Sequence, residues 1–352
     1  MPGFGFASRL PATIRPLVRR MRNFALGIRP LQCPAELQTH HRSLTAIGEQ
    51  RIRNALRQHF SSYSGIVPDV EKFLATQEGE RDLSDHLLGR LSNNRYNVIP
   101  WIANATGSLK GSRVLEIGCG TGAATVALAE QGALVTATDF NEASLHAARE
   151  RLAAYDLSAD VSCASAADAL RDHKNEHFDL IAFFAVLEHM TLNERLSALR
   201  EAWNSLAPGG FLVVDETPNR LWYFDSHTSL EHFFMWLPDD LASLYSSRTP
   251  RTHYNKLFGK AERDEVAFAR WGRGVSYHDF AVALECHPTD LPVISCKGQF
   301  FREQTRSYRA NAHTPGRLYE RLLASLRPDI HTGFFLEYLD LIFQKPKNRV
   351  GD

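Results

Sequence analysis

Between Arg113 and Glu216 the chain switches repeatedly between short apolar runs and helix-length segments. "RVLEI" (113–117), "LVTATD" (134–139), "DVSCAS" (160–165), "FDLIAFFAV" (178–186) and "FLVVDE" (211–216) read as five strands. "GAATVALAEQG", "EASLHAARERLAAY" and "LNERLSALREAWNSLA" read as helices between them. Asn141 is placed to cap the second of these helices, and Thr191-x-x-Glu194 forms a capping box for the third. Gly132 stops the first and Pro208-Gly209-Gly210 stops the third. Strands this continuously apolar, each followed by a helix, require a parallel sheet covered on both faces.

The flanks have a different texture. Residues 36–109 carry three-to-four spacing of apolar residues, as in "LTAIGEQRIRNALRQHF", and are expected to be helical. Residues 110–216 form the alternating core. From 217 to 275 the alternation lapses into an aromatic-rich stretch with Trp222, Tyr223, Phe224, Phe233, Phe234 and Trp236, expected as a lid over the sheet edge or a small separate core. Residues 276–352 return to alternation, with helices at "SYHDFAVALE" and "GRLYERLLASL" and strands at "LPVISCKG" and "FFLEYLDLIFQKP".

Charge and cysteine usage narrow the setting. Lys plus Arg and Asp plus Glu both number 40, so no overall basic excess points to nucleic acid. The five cysteines are widely spaced without a Cys-x-x-Cys pair, which suggests neither a zinc ribbon nor a disulfide framework and fits a reducing cytoplasm. The longest apolar run, "LIAFFAVL", is too short to cross a bilayer. Residues 1–35 hold six arginines and no acidic residue, and are expected as a flexible basic tail able to touch a membrane surface.

The turn after the first strand, "VLEIGCGTG" (114–122), is where such a sheet exposes backbone to a ligand. Gly118-x-Gly120-x-x-Ala123 fits a loose dinucleotide fingerprint, and Asp139 ends the second strand where it can meet a ribose under either reading. Glu116 separates the two in part. A carboxylate beside the loop repels a pyrophosphate and favours a ligand with a cationic amino-acid end. The alternative for Glu116 is a side chain that simply points away from the ligand edge.

Four ordered segments, "VLEIGCGTG", "TATDFNEASLHAARERL", "FDLIAFFAVLEHM" and "LREAWNSLAPGGFLVVDE", resemble the class I S-adenosylmethionine-dependent methyltransferases, with "LEH" similar to the quinone-biosynthesis O-methyltransferase subgroup. The resemblance covers about 110–217 and, more loosely, the last strands. It implies a Rossmann-like α/β fold with a seven-stranded, mostly parallel sheet and helices on both faces. The helical N-terminal region and the aromatic insertion are additions to it. It also implies S-adenosylmethionine as cofactor, with Glu116, Gly118, Cys119 and Gly120 at the methionine end, Asp139 on the ribose and Phe140 on the adenine. Plain core packing is the alternative for Phe140. Where the family often carries an acidic residue after the third strand, this chain has Ser165 and Ala166, with Asp168 slightly beyond.

Methyl transfer from a sulfonium needs in-line placement, and a hydroxyl acceptor also needs its proton removed. His189, beside Glu188 at the end of the fourth strand, is the candidate base; capping or packing at the helix start is its alternative. Tyr223, His227 and His232 in the insertion are candidate acceptor contacts amid aromatics. The spacing of His227 and His232 gives a weak metal signal, and no metal is expected. The Ala185-Val186 pair differs from the Asn/Asp-proline pattern of amine-methylating members. These features lead to methyl transfer to oxygen of a small-molecule, carbohydrate- or lipid-linked acceptor. A catalytically silent cofactor-binding subunit and a nicotinamide oxidoreductase are the other readings.

Overall fold

The computed structural model describes residues 41–62, 69–173, 176–251, 254–255, 258, 264–304 and 314–347. The basic tail expected over residues 1–35 lies outside them. Seven strands form one sheet: β1 (Arg113–Ile117), β2 (Leu134–Asp139), β3 (Asp160–Cys163), β4 (Phe178–Phe184), β5 (Leu206–Pro218), β6 (Val293–Cys296) and β7 (Tyr338–Gln344). Their order is β3-β2-β1-β4-β5-β7-β6. All neighbours pair in parallel except at β7, which is antiparallel to both β5 and β6. A dinucleotide-binding sheet of order 3-2-1-4-5-6 has no such reversed strand.

The sheet's two faces follow the period-two rule. Val114, Ala137, Leu180, Ala182, Val213 and Ile342 face one core, with the N-terminal helices. Leu115, Ile117, Ile181, Phe183, Leu212, Val214, Leu341 and Phe343 face the other. Successive residues on a strand point to opposite faces, so an uninterrupted apolar run feeds both cores at once.

The N-terminal region is helical as expected: α1 (Ala46–Ser62), α2 (Val70–Leu74), α3 (Gln77–Ser84), α4 (Arg90–Asn93) and α5 (Ile99–Thr106), with π-helical turns at Asp85–Gly89 and Asn94–Val98. Between the strands run α6 (Ala123–Ala129), α7 (Glu142–Ala154), α8 (Ala166–Asp172) and α9 (Leu192–Ser205). Asn141 caps α7 through the N–H groups of Ala143 and Ser144, and the Thr191–Glu194 capping box opens α9. α1 packs along α7. There the fully buried Arg151 donates to the carbonyls of Thr121 (2.8 Å), Leu87 (2.8 Å) and His86 (2.5 Å). One guanidinium thereby fastens a π-turn of the N-terminal region to the glycine loop.

Two boundaries differ from the sequence reading. β5 begins at Leu206 rather than 211, because the Pro-Gly-Gly segment is absorbed as an irregularity, with Leu206 paired to Phe178 and Phe211 to Leu180. Gly209 takes the positive φ of +83° that lets the chain do this. The insertion is not devoid of helix. It holds α10 (Asp239–Tyr245) and α11 (Glu265–Arg270) around a small core of Phe234, Ala242, Tyr254 and Phe268. α12 (Tyr277–Ala283) and α14 (Pro315–Leu326) match the expected helices, whereas α13 (Lys297–Gln304) starts directly where β6 ends and takes Lys297 and Gly298 from the expected strand.

Candidate active site at the carboxyl ends of the strands

The glycine loop leaves β1 and is tied down by its own N–H groups. Gly118 and Cys119 donate to the carbonyl of Thr138 (2.7 and 2.9 Å), and Gly120 donates to Asp139 Oδ2 (2.9 Å). Three donors are therefore spent inside the protein, an unhelpful arrangement for a pyrophosphate, which needs N–H groups aimed at it. The glycines also differ in purpose. A Cβ on Gly118 would stand 2.5 Å from Val186 Cγ2, and one on Gly122 would stand 2.8 Å from Ala148 Cβ. Only Gly120 of the three has open space before it. Of these, Gly118 and Gly120 are the ones expected at the ligand; Gly118 and Gly122 also make room for protein.

Glu116 is buried, at 1% exposure, and accepts from Thr125 Oγ1 at 2.7 Å. It lies between β1 and α6, so its influence on a ligand is exerted from beneath the loop. Burial pushes its carboxyl up to about 8. Cys119 is buried, and its thiol is raised well above the usual thiol range, first by burial and then by Glu116.

Asp139 accepts from Gly120 N through one oxygen and from Asn141 N (2.8 Å) through the other, which fixes its carboxylate plane at the end of β2. Burial raises its pKa despite these bonds. Phe140, the next residue, is 74% exposed, which rules out core packing for it. After β3, Ser165 caps α8 and donates to Asp168 Oδ2 (2.7 Å), and Asp168 also pairs with Arg171 (2.5 Å). Asp168 is thus committed locally, and Ser165 and Ala166 carry the chain past this edge.

At the ends of β4 and β5 the parallel ladder comes apart. Ala185 (φ +54°) and Glu216 (φ +56°) both adopt left-handed backbone, and Ala185 N donates to the Asp215 carbonyl at 2.8 Å. Side-chain-bearing residues in this region carry strain of order 1 kcal/mol, which tends to collect at functional edges. Beside them Lys297 bridges Asp215 and Asp340, with Nζ 3.4 Å from Asp340 Oδ1. The three groups form a largely buried network next to Glu216, whose N–H donates to Asp340 (2.8 Å).

Glu188 follows β4 and is fully buried, with burial raising its pKa. His189 lies against it, Nε2 at 3.7 Å from Glu188 Oε1, while His189 Nδ1 lies 2.9 Å from the Arg270 carbonyl. A carbonyl only accepts, so Nδ1 carries the proton and Nε2 presents a lone pair. The insertion closes over this point: Arg273 N donates to the Glu188 carbonyl at 3.0 Å, and the His227 ring stands 5.5 Å from that of His189. His227 is depressed to about 4 by burial, then by His189, and is neutral at ordinary pH.

The three acceptor candidates do not gather in one place. His227 joins Glu188 and His189, whereas Tyr223 and His232 stack on each other (6.0 Å) in an aromatic group with Trp222 and Tyr319. The sequence missed Tyr319, Lys297 and Asp340, which come from about eighty or more residues downstream of β5 in a region without motifs.

Residues 114–210 match the family model described as "Methyltransferase domain". The chain is similar to the ubiquinone biosynthesis O-methyltransferase of Idiomarina loihiensis, 33% identical over 141 residues, or 39% of this chain and 56% of that one. It is 34% identical over 114 residues to the Stutzerimonas stutzeri protein of the same name, covering 32% and 48%. The chain thus spans about half the length of the curated relatives it matches. Among solved structures, magnesium protoporphyrin IX methyltransferase from Synechocystis PCC 6803 with bound SAH aligns at 21% identity and a TM-score of 0.34, covering 43% of this chain and 66% of that one.

Proposed function

We propose that this chain is a class I S-adenosylmethionine-dependent methyltransferase, a reading supported by the match of residues 114–210 to the methyltransferase-domain model, and that it transfers a methyl group to oxygen of a small-molecule or carbohydrate- or lipid-linked acceptor. The observation that carries the reading is the run Gly120–Asp139–Phe140. An open glycine, a carboxylate held in one plane and an exposed aromatic ring line one edge of the sheet. They suit the backbone-facing tail, ribose and adenine of the cofactor in turn. The names of the O-methyltransferase relatives support oxygen as the accepting atom.

When bound, the cofactor supplies a methyl group already activated on a cationic sulfur. Glu116, buried and bonded to Thr125, shapes the floor of the loop beneath that end, and Ser165 and Ala166 flank the adenine edge. Val186 packs on Gly118 and so carries the end of β4 up to the place where the methyl group would lie. His189 Nε2, its lone pair fixed by the Arg270 carbonyl, stands where an acceptor hydroxyl would give up its proton. Tyr223 and His232 border the outer, aromatic part of the acceptor surface. Among the described residues no helix is long and apolar enough to cross a membrane.

The test is calorimetric titration with S-adenosylhomocysteine, followed by incubation with radiolabelled donor and fractionated extract. We expect one cofactor site per chain and label in an organic-soluble or glycan fraction. Absence of cofactor binding overturns the reading, and tight binding without transfer to any fraction replaces it with that of a silent partner subunit.

A further inference from the structure

We propose that Glu188, His189 and His227 form a binding site for a divalent transition-metal ion at the end of β4. Candidate ligand atoms of the three residues all lie within 4.8 Å of one another. Ligands about 2.1 Å from a shared ion are at most about 4.2 Å apart, so a side-chain adjustment of under about 1 Å closes the site.

The second observation is Glu188 itself. It is 0% exposed, and neither carboxylate oxygen has a hydrogen-bond partner among the described residues. Arg195, whose charge acts on Glu188, makes no hydrogen bond to it and is engaged instead by Asp279 (2.9 Å) and the Leu187 carbonyl (3.4 Å), and His189 Nε2 stays 3.7 Å away. An unpaired buried carboxylate is among the costlier features a fold can keep, and it persists where a cation completes it.

The two imidazoles are prepared for that cation. The Arg270 carbonyl fixes the His189 tautomer and leaves Nε2 as the donor atom, the usual support given to a metal-binding histidine. His227 sits in a turn that Asp225 holds by accepting from the N–H groups of His227 (3.1 Å), Thr228 (2.9 Å) and Ser229 (2.8 Å). Arg251 donates to the carbonyls of His227 and Thr228 from outside. Gly272 makes the room: a Cβ there would lie 2.8 Å from His227 Cδ2. His189 is 44% exposed, which gives the ion a way in.

Two imidazoles and one carboxylate suit Zn²⁺, Co²⁺, Mn²⁺ or Fe²⁺ better than Ca²⁺, and three protein ligands leave positions open. The catalytic use of the site rests on the methyl-transfer reading. With His189 Nε2 engaged by the ion it would no longer take the acceptor's proton; an acceptor hydroxyl on an open position would instead release its proton to water more readily. Its oxygen lone pair then forms the new O–CH3 bond as the CH3–S bond breaks, and that bonding pair stays on sulfur as a neutral thioether.

The experiment uses the full chain after chelator treatment, titrated with Zn²⁺ by calorimetry and with Co²⁺ by its visible absorption. One ion per chain is expected. Glu188→Gln and His227→Ala should each weaken binding by roughly 100-fold or more, since even supporting residues of metal sites cost 10- to 100-fold. His232→Ala should bind like the parent. Melting curves confirm that each variant is folded, and Glu188→Gln keeps the shape of the side chain. No saturable binding, or equal binding by Glu188→Gln and parent, overturns the site. S-adenosylhomocysteine titration of the same samples keeps the two readings apart. Cofactor binding without metal binding overturns only the site; metal binding without cofactor binding overturns only the methyl-transfer reading.

Discussion

Val186 and Gly118 interlock: the Val186 methyl groups fill the space where any other residue at 118 would place its Cβ, 2.5 Å from Cγ2. The glycine loop and the end of β4 are thereby one mechanical unit. Gly118→Ala must also hold φ +73°, a conformation costing about 1 kcal/mol or more for an L side chain. Cofactor affinity should fall in Gly118→Ala, and Val186→Ala in the same chain should restore part of it. Calorimetry on the single and double variants checks this; simple additivity of the two effects would refute the interlock.

Phe140 separates ligand binding from folding. A ring 74% exposed contributes little to the core, so Phe140→Ala should leave the denaturation midpoint within about 0.5 kcal/mol of the parent. Cofactor affinity should drop by roughly 5- to 10-fold, the worth of one stacking contact. A loss of stability with unchanged affinity would assign Phe140 a structural part instead.

Asp139 is expected to matter more. Its oxygens order Gly120 and Asn141 and, in the proposed function, would also accept from the ribose, so Asp139→Ala removes charge-assisted bonds worth about 1.5–3 kcal/mol each. S-adenosylhomocysteine binding should weaken by roughly 100-fold, and Asp139→Asn should recover part of it. Retention of parent-like affinity in Asp139→Ala would displace the ribose from this edge.

Glu116 gives a pH signature. Its folded pKa, raised by burial from 4.5 to about 8, makes its contribution to stability complete below about 4.5 and lost as pH rises through about 8. Glu116→Gln should therefore gain thermal stability relative to the parent between about pH 5 and about pH 9. Melting curves across that range check it, and a constant difference would mean that the buried carboxyl is not titrating there.

Lys297 holds the buried Asp215 and the partly buried Asp340 together, and its pKa is shifted upward by Asp215 and Asp340 against the effect of burial. Lys297→Met strands Asp215 and Asp340 side by side and should cost about 3–5 kcal/mol at neutral pH. Denaturant unfolding measures this. Asp340→Asn in the same chain should recover part of the loss, and no recovery would argue against the network.

Much of this protein is written in local sequence. The period-two apolar runs fix strands whose alternate residues feed two cores, and Asn141 and the Thr191–Glu194 box start their helices where a local hydrogen bond is available. Those signals need only neighbours within a few residues, so they survive without knowledge of the fold. The glycine loop was legible as a place, and Glu116 as a hint about its ligand.

What each loop residue does was decided by the tertiary structure. Gly118 answers to Val186 and Gly122 to Ala148, contacts that exist only once β4 and α7 have packed. His189 was readable from its motif, but its partner was not. His227 reaches it from 38 residues further on because Asp225 curls its turn and Gly272 clears the space, whereas the nearby His232 is carried off into the aromatic group. Residue order sets which side chains exist, and chain closure over the sheet edge sets which of them meet.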